Sequence, residues 1–283
     1  FELWGKEIAL GAVDWTFGAN LTTNRNQVLA LAEGQEEIRA GRDGAWRTKV
    51  GRPIAEITAY NIIGIFKTEE EIAGTPHLSG TLTGDYIVED VNGDNVIDDA
   101  DKIPLGTFAP DLIFGFSSSF RFRNFDLSIS LNGVEGRVAY YYDEAVITGV
   151  GEGFGSPSTY YMDNRYHPVN NPDGFLGQPN LGNFSAARRN TRMSSIYLQD
   201  ADYLRIRNLQ LGYSFSPVML NAIKCRGLRV YASANNLFTL TKYRGFNPDS
   251  SAYTRDTDVL IAGFAQDNYP ASKAYLLGLS LEF

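Results

Sequence analysis

The chain has 283 residues, with 33 acidic and 25 basic side chains and a net charge of −8. That length suits one large β domain or two modest ones, and the acidic balance argues against a nucleic-acid partner, because phosphate binding draws on Lys and Arg. Cys225 is the only cysteine, so neither a disulfide framework nor a thiolate zinc cluster is available.

No apolar run approaches the ~18 residues of a membrane helix, and no basic, apolar, small-residue signal opens the chain. Phe1 is not an initiator methionine, which reads as a processed or partial product. Hydropathy alone would read a soluble protein, but spanning β-strands hide in alternation rather than in continuous apolarity.

In chain order, residues 1–10 form a weak strand, because neither face is clean. From Val13, the residues Val13, Trp15, Phe17, Ala19 and Leu21 share one face and Asp14, Thr16, Gly18, Asn20 and Thr22 the other, the period of a strand. "DVNGDNVIDDAD" (90–101) follows, with five aspartates and no basic residue. Oxygen ligands at positions 1, 3, 5, 7, 9 and 12 are the calcium pattern of EF-hand-like loops. Here they are Asp90, Asn92, Asp94, the carbonyl of Val96, Asp98 through water, and Asp101. Asn95 stands where such loops carry Gly, Asp101 is one methylene shorter than Glu, and Pro104 limits any following helix. The expectation is a structural Ca²⁺ bracing a long external loop; the other reading is a solvated turn whose Asp and Asn bond their own backbone.

"LIFGFSSSFRF" (112–122) and "FDLSISLNG" (125–133), joined by Arg123–Asn124, read as a long hairpin. Phe114, Phe116, Leu127 and Ile129 lie on its oily side, opposite Ser117, Ser119, Ser128 and Ser130. The same alternation recurs at 208–216, 228–236 and 274–283. Eleven residues at ~3.3 Å each and a tilt near 40° climb about 28 Å, close to the apolar thickness of a membrane. Links at 9–12, 123–124 and 217–227 are short, while 24–110, 136–202 and 239–272 are long, as in outer-membrane barrels with short periplasmic turns and long external loops. Seven strands cannot close a wide barrel, and an open edge in lipid leaves backbone groups unpaired. The expected fold is therefore all-β: the antiparallel strands of part of a transmembrane barrel, completed by further strands and facing outer-membrane lipid.

Several segments, in order, carry a family resemblance: "KVGRPIAEITAYNIIGIFKTEEEI" (49–72), "GDYIVEDVNGDNVIDDADKIPLG" (84–106), the hairpin 112–136, "SSIYLQDADYLRIRNLQLGYSF" (194–215) and "LRVYASANNLFTLTKYRGFNPD" (228–249). Together they make the whole chain, 1–283, resemble the C-terminal portion of the barrel of SusC/RagA-type TonB-dependent transporters of Bacteroidota. The resemblance implies about 22 strands in all, an outer-membrane location, a SusD-like surface lipoprotein partner and coupling to TonB through a plug outside these residues. It implies import of oligosaccharides or oligopeptides. The rival readings are a secreted calcium-braced β binding module and a passive porin or structural component.

Trp46, Tyr140, Tyr141, Tyr142, Tyr160 and Tyr161 could line a sugar-stacking surface in the external loops, although aromatics there also serve as girdle and packing residues. "AARRNTR" (186–192) reads as a solvated strand entry or a lipopolysaccharide contact. Asp200 and Asp202 read as a rim salt-linked to Arg205 and Arg207. His77 and His167, each beside a proline, read as surface residues, and two histidines with one cysteine assemble no catalytic set. The chain is not expected to be an enzyme.

Overall fold

A computed structural model of the chain describes every residue except 11, 148–155, 180–190, 224, 250–258, 267–268 and 283, and describes 6–10, 146–147, 221–223 and 259 by backbone alone. Its main element is one seven-stranded sheet of β1 (Glu2–Leu10), β2 (Val13–Thr23), β3 (Leu112–Phe122), β4 (Phe125–Glu135), β5 (Tyr203–Ser214), β6 (Gly227–Thr241) and β7 (Ala274–Glu282). Neighbours in the sheet are neighbours in the chain, and every pairing is antiparallel. This is an up-and-down meander, with β1 and β7 each leaving one edge without a partner among the described residues.

The oily stripe is not the inside of a sandwich. Phe116 and Leu127 are 37% and 38% exposed and Leu279 is 65% exposed. Among the described residues the four buried apolar clusters draw on the long connections, not on the Phe114–Phe116–Leu127–Ile129 stripe. A soluble sheet with one oily face covers it with a second layer. Among the described residues this sheet has none, so its outer face is made for acyl chains and its Ser, Thr and Asn face for a wet bore.

Two bulges explain where the alternation blurs. β1 gains a residue on β2 between Gly5 and Ile8, so Leu3 pairs with Ala19 above the bulge and Ile8 with Trp15 below it, and the two-residue period shifts by one. That is why residues 1–10 have no clean face. In β5 the register shifts against β4 between Ile206 and Asn208, around Arg207, so Ile206 and Leu209 both stand over the outward row. A bulge flips every side chain beyond it to the other face.

The long connections carry structure that strand periodicity did not announce. Glu37–Ala40, Trp46–Lys49, Glu56–Tyr60 and Lys102–Gly106 form a four-stranded sheet within the first. Val138–Tyr141 of the second pairs antiparallel with Leu198–Asp200 and parallel with Phe264–Ala265 of the third. The short helix Glu69–Gly74 starts where Thr68, its N-cap, accepts the Glu71 N–H on Oγ1, and Glu71 reaches back to the Lys67 N–H. Among the described residues no helix is long and apolar enough to cross a membrane.

Candidate functional site

The inner wall is built by the alternate residues of β1 to β6. Thr16, Ser117, Ser119, Ser128, Ser130 and Asn208 line a cavity of about 410 Å³, closed on one side by Trp4. Trp4 lies flat over Gly18, where a Cβ would come within 2.6 Å of the ring. The hydroxyls and amides bond across strands: Thr16 and Ser119 at 2.5 Å, and Asn208 Nδ2 to Asn235 Oδ1 at 2.7 Å. Toward the short-turn end a second cavity, about 590 Å³, is lined by Asp14, Arg121, Asp126, Gln210 and Arg229. Arg229 donates to both Asp126 oxygens, at 2.6 and 3.1 Å, across the intervening strand. The bridge passes over Gly212, where a Cβ would lie 2.5 Å from each partner. The wall is therefore neutral and hydroxyl-rich in the middle and charged below, suited to hydrated polar solutes.

On the outward face one polar residue interrupts the stripe. Ser118 is buried, and Trp15 Nε1 donates to its Oγ at 2.8 Å while Trp15 stacks on Phe120 at 5.8 Å. The indole satisfies a hydroxyl that lipid could not.

In the acidic loop, Asp90 accepts the N–H groups of Gly93 and Asn95, and Asp94 accepts that of Val96. Asn92 accepts from Asp94, Asp98 from Ala100, and Asp101 from Val91 and Asp98. Asn95 takes the left-handed conformation, φ 65°, that glycine has in calcium loops. Asp99, outside the ligand set, takes the cations: Arg39, Arg47 and Lys102 lie 2.8, 2.7 and 3.1 Å away. Burial raises its carboxyl, but the Lys102 hydrogen bond, the charges of Arg47 and Lys102 and the Arg39 hydrogen bond hold it below the usual carboxylate range. Nearby, burial pushes the Tyr60 hydroxyl up to about 12. Among the described residues no three His, Cys, Asp or Glu side chains converge on a metal position. The oxygens of Asp90, Asn92, Asp94, Asp98 and Asp101 are turned to backbone N–H groups, although each carboxylate oxygen keeps a lone pair for a cation.

The aromatic set is mostly interior. Trp46 and Tyr140 are 0% exposed and Tyr161 is buried, its hydroxyl donating to the Gly177 carbonyl. Tyr142 packs on Phe264 and accepts from Arg42, Tyr141 lies against Tyr243, and Tyr160 sits under the Arg244 guanidinium. Burial pushes the hydroxyls of Tyr140 and Tyr243 up. In this arrangement Trp46, Tyr140 and Tyr161 offer no ring face to a sugar; their apolar surface holds the loops together.

The rim charges also pair differently from expectation. Arg205 and Arg207 reach Asp249, at 3.6 and 3.4 Å, and Asp202 accepts the Arg137 N–H. Asp249, over forty residues away in sequence, could not be found by proximity along the chain. Residues 186–190 of the basic stretch lie outside the described residues, and Arg192 is buried. His77 Nδ1 donates to the Thr75 carbonyl, and His167 Nδ1 accepts the N–H groups of Val169 and Asn170; both serve local turns.

An edge-to-edge meander with an oily outside, a wet inside and structured loops at one end defines a sector of an outer-membrane β-barrel. Comparison with known proteins agrees. The chain is 27% identical over its whole length to TonB-dependent receptor P3 of Formosa agariphila, covering 28% of that protein. It is likewise 27% identical over its whole length to TonB-dependent receptor SusC of Bacteroides thetaiotaomicron, covering 26% of it. The fold of the RagAB peptide transporter matches the entire chain with a TM-score of 0.75 at 20% identity, across 28% of that chain. No protein-family model matches. The chain thus spans little more than a quarter of the curated relatives it matches. The resemblance to the C-terminal portion of SusC/RagA-type TonB-dependent receptors holds from one end of the chain to the other, and with it the outer-membrane location. The relatives are named as receptors and the structural neighbour as a transporter.

Proposed function

We propose that the chain is part of the wall and the external cap of a TonB-dependent outer-membrane importer of oligosaccharides or oligopeptides, working with a SusD-like surface lipoprotein. The carrying observation is the seven-stranded sheet, oily on one side, hydroxyl-lined on the other and, among the described residues, covered on neither. A secreted binding module would bury that oily face, so extraction of the full-length protein tests the rival directly: it should require detergent, and a monodisperse detergent-free monomer refutes the importer. Deleting the gene should abolish growth on one class of oligosaccharide or peptide, and deleting TonB should do the same. Uptake that persists without TonB would instead identify a passive porin. Copurification of a surface lipoprotein checks the partner.

We further propose that Asp90, Asn92, Asp94, the Val96 carbonyl, Asp98 and Asp101 hold a structural Ca²⁺ in the 84–106 loop. The oxygen-only donor set and the left-handed Asn95 support it. Calorimetric titration of the full-length protein tests it; no heat up to several millimolar calcium removes the proposal.

A further inference from the structure

The three long connections meet at one side chain. Trp46, from the first, is fully buried; its Nε1 donates to the Ala262 carbonyl of the third at 2.9 Å. Its ring stands edge-on to Tyr140 of the second at 6.1 Å and packs on Phe264 of the third at 5.6 Å. Gly41, at φ 68°, presses its backbone onto the same ring, where a Cβ would come within 2.4 Å. Backbone bonds join the same three segments: Tyr140 N–H to the Gly263 carbonyl at 2.8 Å, Val138 N–H to the Thr107 carbonyl at 2.8 Å, and the parallel strand pair 140–141 with 264–265.

A second junction fixes this assembly to the barrel rim. The buried Arg137 guanidinium donates to the carbonyls of Ala201 and Pro248, and it is sandwiched between Phe108 at 4.6 Å and Tyr203, on β5, at 5.2 Å. Burial lowers its pKa, opposed by the charge of Asp249. First connection, second connection, third connection and barrel strand thus share one side chain.

We infer that the described residues of the three long connections that pack around Trp46 and Arg137 form a single cooperative cap, keyed by Trp46 and pinned to the rim through Arg137, that opens as one block and not loop by loop. Segments that share their buried side chains with one another tend to open as one unit. The cap is then a fixed abutment over this sector of the bore, and any movement during passage of a solute belongs to other parts of the receptor or to the cap as a whole. The inference rests on the packing alone and stands whatever the imported solute is.

Hydrogen exchange read by mass spectrometry on the full-length receptor in lipid nanodiscs tests it. In Trp46→Ala, amides in 56–60, 138–141, 198–200 and 264–265 should all exchange faster by a common factor of about 100 to 5,000, as expected for losing a buried Trp. The strands β2 to β6 should be unchanged. Trp46→Phe, which keeps a ring but loses the bond to Ala262, should show a smaller rise over the same four segments. A rise confined to 37–60 overturns the inference. Should Trp46→Ala fail to assemble, the wild type in graded denaturant decides: one shared opening transition for the four segments supports a single cap, and separate transitions refute it.

Discussion

Ile129 and Ser128 are adjacent on β4 and at nearly the same depth, but on opposite faces. Ile129 is four residues from the start of an eleven-residue strand, about 10 Å up a span that climbs about 28 Å, and so lies near the bilayer midplane. A lysine on the lipid side at that depth costs about 2–4 kcal/mol, which is about 30- to 900-fold in the folding equilibrium. Ser128 borders both inner cavities, where an ammonium stays hydrated and the cost should be near zero. Ile129→Lys should therefore be strongly destabilising and Ser128→Lys close to neutral, when the full-length receptor is unfolded by denaturant from lipid vesicles. Ile129→Met controls for side-chain shape and should cost under ~1.5 kcal/mol. If Ser128→Lys costs as much as Ile129→Lys, or more, the assignment of lipid and bore faces is wrong, and the importer reading goes with it.

Gly212→Ala should push the Asp126–Arg229 bridge apart, because the new methyl would sit 2.5 Å from both partners; a loss of about 1–2 kcal/mol is expected for a half-hydrated, doubly hydrogen-bonded pair. The same substitution in an Arg229→Ala background should cost less, a non-additivity read from the double-mutant cycle. Asp99 has a depressed carboxyl pKa, so its contribution is present above the ordinary Asp value of about 3.9 and is lost as pH falls through its lower, folded value. Hydrogen exchange of 37–49 and 99–106 should then accelerate only under strongly acidic conditions, and Asp99→Asn should make these segments exchange faster at neutral pH while flattening that acid dependence.

The seven membrane strands were legible because a two-residue period over nine or more residues is a strong signal, and the hairpin link at Arg123–Asn124 and the unequal connections set their order. What the period hides is any insertion that resets it. The bulges between Gly5 and Ile8 and at Arg207 each mix two correct half-patterns into one that looks poor. The cap was not legible as a core, for a different reason. Trp46 meets Phe264 from over two hundred residues away, and the apolar residues of 139–145 have no period that would separate a ring facing solvent from one facing another loop. Tyr140, Tyr141 and Tyr142 therefore suggested a stacking surface, while in the structure the same rings pack against Trp46, Phe264, Tyr243 and Arg42. Glycines on the inner row were a signal that could have been read. Gly18, Gly115, Gly212 and Gly278 sit at bore-facing positions, each beneath a neighbour's side chain: Trp4, Asn20, the Asp126–Arg229 pair and Tyr231. The wall is thin where its large side chains lie down.

Close packing of five aspartates made calcium attractive, yet the structure neutralises them unevenly. Asp99 has three cations, and Asp94 and Asp98 are exposed to water. Asp101 is different: it is 0% exposed and is held by two backbone N–H groups, from Val91 and Asp98, without a cation beside it in any ion pair of the described residues. A buried carboxylate without a counter-charge is the costly member of the group, so the calcium reading turns on this residue. If Asp101 is the twelfth-position ligand of a site with a dissociation constant of ~10⁻⁴–10⁻³ M, then 10 mM calcium, ~10 to 100 times that constant, should stabilise the folded protein by about 1.4–2.7 kcal/mol. Asp101→Asn costs stability on either reading, because its amide must turn an N–H toward Val91 or Asp98, each a donor already. Stability loss is therefore no evidence. The decisive quantity is the calcium-dependent part of the unfolding midpoint, measured for wild type and Asp101→Asn with magnesium as the control. A response in the wild type that vanishes in the variant makes calcium the missing counter-charge; a wild type indifferent to calcium leaves the two N–H groups and the surrounding turn as all that Asp101 has.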